Sequence, residues 1–250
     1  MVDISRDPRW GRVMEGAGED PFLGSRIAEA RVRGFQGANL SDPTTLAACL
    51  KHFAGYGFAV AGRDYHTTDY SAHTLYNWIL PPFEAGVKAG AATVMNAFSA
   101  ANGIPATGDS ALVWGELRGR MGFDGVLVSD WGSIGEMTAH GYAADLRDAA
   151  DRALAAGCDI DMESDAYLRY GVELARRNPT DSVRIREAAR RILTLKFELG
   201  VMDDPYRYCG ATKPDVRPDA YEMAVKSSVL LKNSGVLPMA AGVHVGLTGP

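Results

Sequence analysis

GFDGVLVSDW, residues 122–131, sets the reading of the whole chain. Residues 125–129 form a short uncharged run that is apolar on both alternating faces. That is the pattern of a strand covered on both sides, as in a parallel sheet. The run ends in Ser129-Asp130-Trp131, so a carboxylate and an aromatic ring stand where a buried strand gives way to a loop.

Working outward, similar short runs occur at 46–50, 92–97 and 158–161, with a further candidate at 2–5. Helical patterns separate them at 20–36, 73–88, 109–120 and 145–156, followed by 165–177 and 181–199. The first begins Gly-Glu-Asp-Pro, a capping-type start with Pro21 suited to a first turn, and the second is broken or started at Pro81-Pro82. Short apolar strands alternating with helices predict a doubly wound sheet or a (β/α) barrel. Residues 203–220, DDPYRYCGATKPDVRPDA, are polar, Pro-rich and aperiodic, and read as a linker. A helix at 221–232 and a strand at 243–248 would open a second domain. The first residues read as the end of a strand and the last as a unit barely begun, so flanking sequence is expected on both sides.

The composition, 46% hydrophobic and 23% charged, is that of an ordinary globular chain. A net charge of −5 with scattered Lys and Arg argues against nucleic acid or an anionic membrane as partner. No apolar stretch approaches the roughly 20 residues of a membrane-spanning helix. MVDISRDPRW lacks the charged and apolar regions of a signal peptide. Cys49, Cys158 and Cys209 are far apart and odd in number, fitting neither a disulfide framework nor a zinc site. Cys49 and Cys158 sit in apolar runs and are read as buried free thiols.

In barrels and open α/β sheets, functional groups gather where strands end. Asp130 is such a group, although Ser129 and Asp130 could equally cap a helix starting near Ile134. Lys51-His52, after the 46–50 run, could hold an anion or a polyol, or could simply begin a solvated loop. Asp3, Arg6, Arg9 and Arg12 are dense enough to be a surface ion-pair cluster. No HExxH, GxSxG, phosphate-binding loop or dinucleotide glycine fingerprint is present.

Taken in order, SRDPRWGR (5–12), GEDP (18–21), KHFAGYG (51–57), VMNAFSAANG (94–103), GFDGVLVSDW (122–131), AGCDIDM (156–162) and VLLKNSGVLP (229–238) resemble glycoside hydrolase family 3, in its bacterial periplasmic-type β-glucosidase branch. The resemblance implies part of a (β/α)8-type TIM barrel over 1–202, the linker 203–220, and the start of an α/β sandwich over 221–250. It implies retaining hydrolysis of terminal β-D-glucosyl residues, with Asp130 as nucleophile. Arg12, Lys51 and His52 would bind sugar hydroxyls and Trp131 would line the sugar platform. The expected partner is a β-glucoside or oligosaccharide, with no cofactor or metal, and the expected location is periplasmic or secreted.

Departures matter too. Phe98 stands where the family often has a Tyr that contacts the nucleophile. The family's sugar-binding Asp lies upstream of Met1 and its acid/base Glu beyond Pro250, so the chain alone is expected to act weakly on unactivated substrates. Three alternatives remain: a β-N-acetylglucosaminidase using an Asp64/His66 dyad, a β-xylosidase or α-arabinofuranosidase, and a non-catalytic carbohydrate-binding homologue.

Overall fold

The structure is a computed structural model and describes residues 1–210 and 217–248. It divides into two compact units, Met1–Cys209 and Gly210–Pro250.

In the first unit, β1 (Cys49–Phe53) and β2 (Thr93–Asn96) pair in parallel, with Cys49 opposite Thr93. A two-residue hairpin follows, β3 (Ala100–Ala101) with β4 (Ile104–Pro105). The third strand of the main sheet, β5 (Val126–Val128), lies on the far side of β2. Two less regular segments extend it. Val2 donates its N–H to Lys51 O at 2.9 Å, which sets the first residues beside β1. Ile160 bridges Val128 in parallel, and Ser129 N reaches Ile160 O at 2.9 Å. Each segment therefore lies beside its predecessor in the chain. A doubly wound sheet reverses its strand order at a switch point, whereas a barrel does not. The order selects an arc of a (β/α) barrel.

The helices start where capping chemistry says they should. Asp20 Oδ1 accepts from Leu23 N at 2.7 Å to open α1 (Pro21–Gln36). The predicted helix at 73–88 is instead three pieces: α2 (Ala72–Thr74), a wide π turn (Leu75–Ile79), and α3 (Pro81–Lys88). Pro81 and Pro82 lack the N–H groups that would continue one regular ladder. Ala111–Arg120 is likewise wound as a π helix. Then come α4 (Ser133–Ala139), α5 (Leu146–Ala156, capped by Asp145), α6 (Ala166–Arg177) and α7 (Pro179–Glu198, capped by Asn178).

Several sequence expectations shift. The strand read at 46–50 lies at Cys49–Phe53, so Lys51 and His52 belong to it rather than to the loop beyond. Apolar content marked its buried start, but hydrogen bonding carries the strand through its polar residues. The strand at 158–161 is a single bridge at Ile160. Cys158 is buried as expected, but Cys49 is exposed. Alternation along β1 turns Leu50 into the helix layer, against Gly86, and turns Cys49 to the opposite face. Of the linker read at 203–220, residues 211–216 lie outside the described residues. Residues 203–209 are turns within the first unit, where Tyr208 Oη donates to Leu40 O at 2.9 Å. In the second unit, α8 spans Arg217–Ser227 rather than 221–232. Residues 243–248 form no strand, because a strand needs a ladder partner and none is present among the described residues.

Two buried polar side chains hold strand backbones. Gln36 Oε1 accepts from Ala48 N at 3.0 Å and Ala92 N at 2.9 Å, while its Nε2 donates to Gly90 O at 2.8 Å. Asp159 accepts Leu127 N at 2.9 Å and Arg118 at 2.8 Å on one oxygen, and Arg191 at 2.8 Å on the other. Burial pushes the Asp159 carboxyl upward, against the pull of the two guanidinium groups and the Leu127 amide. One glycine is fixed by space alone. A Cβ on Gly57 would stand 2.1 Å from Ile4 O, so only glycine lets this loop lie on the first strand.

Gly57→Ala is therefore expected to destabilise by about 3 kcal/mol, as overpacking against rigid backbone does. Gly34→Ala, in α1 with open space around it, should instead stabilise by about 1 kcal/mol. Denaturant midpoints at unchanged slope measure both.

Candidate active site

The mouth of the sheet gathers residues from four segments. Ser129 leaves β5 with its N–H on Ile160 O, and its hydroxyl accepts Met162 N at 2.8 Å. That double tie fixes the chain direction at Asp130. The Asp130 carboxylate is buried, 7% exposed, and its Oδ1 accepts Trp131 N at 2.7 Å. It caps no helix: α4 starts at Gly132, at φ +69°, with no side-chain cap. The other oxygen, Oδ2, faces His52 Nε2 at 3.3 Å.

His52 is itself buried. Its Nδ1 lies 2.9 Å from Asp3 Oδ2, and the same oxygen accepts the His52 main-chain N–H at 2.8 Å. Asp3 thus separates from the arginine cluster with which it was grouped. Two arginines of that cluster pair locally, the exposed Arg9 with Asp7 at 2.7 Å and the half-buried Arg12 with Glu15 at 2.5 and 2.8 Å. Glu15 connects this group to the site. Its carboxyl is held below the usual range chiefly by Arg12, and also by the charges of Lys51 and His52. Arg12 and His52 both lie against the Tyr56 ring, and Lys51 adjoins His52 on β1.

An aromatic wall supports them. The Tyr56 ring stands edge-on to His52 at 5.1 Å and to Trp10 at 5.2 Å, and Arg12 lies over its face at 5.5 Å. Burial, reinforced by Asp64, pushes the Tyr56 hydroxyl far up, so it stays protonated. Phe98 packs against Tyr56 at 5.7 Å and Tyr65 at 4.6 Å, and brings no hydroxyl. Tyr65 is pushed up by burial and by the charges of Asp64, Glu136 and Asp130. Trp131 projects into solvent, 62% exposed. The proposed Asp64/His66 dyad is not assembled: Asp64 accepts the Trp10 indole N–H at 2.9 Å, and His66 is exposed.

Sequence reasoning did not single out Tyr56, Trp10 or Glu136. Glu136 is a half-buried carboxyl on α4, raised by burial and by the nearby charge of Asp130. Its signal was available only as one acid in a short helix, which spacing cannot distinguish from a solvated face. Among the described residues no cluster of His, Cys, Asp or Glu could hold a metal ion, and no helix is long and apolar enough to cross a membrane.

A barrel arc whose strand ends converge on a fixed, buried carboxylate beside an exposed tryptophan defines the chain as part of a TIM-barrel enzyme scaffold. Residues 1–195 match the family described as "Glycosyl hydrolase family 3 N terminal domain". The chain belongs to that family. A periplasmic β-glucosidase of Salmonella typhimurium is 40% identical over 261 residues, covering 100% of this chain and 34% of the relative. A putative β-xylosidase of Formosa agariphila is 35% identical over 261 residues, with the same coverage of 100% and 34%. Among solved structures, a mutant β-glucosidase from Listeria innocua in complex with laminaribiose superposes with a TM-score of 0.92. It is 42% identical, and the match covers 96% of this chain and 35% of that one. The chain thus spans about a third of the length of these relatives.

Trp131 belongs to neither buried core cluster of the first unit. Trp131→Ala in the product of the complete parent gene should leave the melting temperature unchanged.

Proposed function

We propose that the chain carries the nucleophile half of a retaining glycosidase that removes terminal, non-reducing β-D-glucosyl residues. The observation that supports this most directly is the Asp130 carboxylate. It is buried at the end of β5, oriented by Trp131 N, and faces the His52 ring. In a retaining reaction a carboxylate oxygen attacks the anomeric carbon, the glycosidic C–O bond breaks, and the departing oxygen takes a proton from an acid about 5–5.5 Å away. Water then breaks the covalent ester and returns a proton to that second carboxyl. Asp130 is the attacking group. The acid/base is assigned to sequence beyond Pro250, in an α/β sandwich domain that residues 221–250 begin.

Arg12 and Lys51 supply donors for sugar hydroxyls and, with the His52 ring that faces Asp130, fix the sugar, which converts binding into orientation. Trp131 offers its apolar face to the C–H side of the pyranose. The choice of glucose over xylose rests on the β-glucosidase relatives at 40–42% identity. The β-xylosidase relatives, at 35–36%, make xylose the second reading. An extracytoplasmic setting is part of the proposal, supported by the periplasmic relative.

The test uses the product of the complete parent gene with a 2-deoxy-2-fluoro-β-glucoside of dinitrophenolate. The good leaving group lessens the need for an acid, and the fluorine slows breakdown of the ester. A fluoroglucosyl label found on Asp130 by peptide mass spectrometry, and lost in Asp130→Asn, is the expected result. Asp130→Asn should also lower kcat by at least about 10⁴-fold, as loss of a nucleophile does. Labelling only by the fluoroxyloside would move the reading to β-xylosidase. Saturable glucose binding with no label would reduce it to a binding protein.

A further inference from the structure

We propose that Asp3 is a positioning residue for the nucleophile, acting through His52; this rests on Asp130 being the nucleophile. The three groups form one buried chain: Asp3 Oδ2 to His52 Nδ1 at 2.9 Å, then His52 Nε2 to Asp130 Oδ2 at 3.3 Å. Asp3 and His52 are 3% and 1% exposed, so water does not compete for these contacts.

If Asp3 served only to bind the first residues of the chain to β1, the bond from His52 N at 2.8 Å would be enough. The same oxygen also takes Nδ1, and that second bond fixes the rotation of the ring. It decides that a nitrogen, Nε2, and not a ring carbon, faces Asp130. Among the described residues neither Nε2 nor Asp130 Oδ2 makes a hydrogen bond, and each meets the other at 3.3 Å. With Nδ1 held by Asp3, the ring presents Nε2 to the nucleophile.

The consequence for Asp130 is geometric. Its Oδ1 accepts from Trp131 N and its Oδ2 lies against the His52 ring, so the carboxylate is met on both sides before a sugar arrives. Glu15, Lys51 and the Tyr56 ring also surround His52, but only Asp3 bonds to Nδ1. Without Asp3 the ring is free to turn and the nucleophile loses one of its two fixed contacts.

The experiment again uses the product of the complete parent gene, with Asp3→Asn, His52→Gln and the double variant, each inactivated by the fluoroglucoside reagent. Counting labelled sites separates the fraction folded from the rate constant per folded site. Asp3→Asn should lower the inactivation rate constant per site about 10- to 100-fold, the usual effect of removing a group that orients a site ligand. The reagent's dissociation constant should change much less. In the His52→Gln background, Asp3→Asn should cost less than about 3-fold, because coupled residues are non-additive. Fewer labelled sites at an unchanged rate constant would make Asp3 merely structural, and equal losses in both backgrounds would remove His52 from the path. Either result overturns the proposal. Asp3→Ser, which is smaller, serves as the second variant if Asp3→Asn does not fold. A wild-type protein that takes no label on Asp130 would instead sink the reading of the nucleophile itself.

Discussion

Parallel strands place their ends far from any sequence neighbour that could finish their hydrogen bonding, and this constraint shapes the molecule. A hairpin closes its own ladder, but β1, β2 and β5 are each separated by a helical excursion. The outlying amides are met by buried side chains sent in from elsewhere. Gln36, at the end of α1, bonds the main chain at Ala48, Gly90 and Ala92, ahead of β1 and β2. Asp159 does the same for Leu127 within β5 and takes a guanidinium on each oxygen. Replacing such a group leaves buried partners unsatisfied, which costs far more than the net worth of the bond itself.

Asp3 is the same device at the opposite end of the sheet, and there it has become part of the chemistry. It bonds the His52 amide, as Gln36 bonds Ala48, but it also reaches the His52 ring. A strand-end anchor and a site-orienting group are thus one carboxylate. The aromatic wall of Trp10, Tyr56 and Phe98 keeps water from this end, which strengthens each polar contact inside it.

Much of this was legible in the sequence, for particular reasons. Helix starts at Asp20 and Asp145 are readable because these residues cap by a local rule that needs no tertiary information, whereas the helix read from 181 begins at Pro179, behind its Asn178 cap. The barrel was one of two readings of the strand–helix alternation, and spatial strand order decided between them. β1 was misplaced by three residues because its polar end carries site residues, and apolar content stops where function begins. Cys49 was read as buried from the character of its run, although a strand has two faces and only one was covered. At the site, Asp130, Trp131, Lys51, His52 and Arg12 carried motif signals and the structure brings them to one end of the sheet. Asp3 was seen only as one charge among arginines. What distinguishes it is a partner 49 residues away, and no spacing rule holds that information.

The tryptophans carry a consequence of a different kind. Trp10 is sealed in the core with its indole N–H on Asp64, whereas the Trp131 ring stands in water a single residue from Asp130. The two indoles should emit at different wavelengths, the buried one to the blue and the exposed one to the red. With the part-exposed Trp78 and Trp114 replaced by Phe, a sugar laid on Trp131 would dry that ring and shift the red component alone. The emission of Trp10 would stay fixed as an internal reference, so the light from this one unit would report occupancy without any added probe.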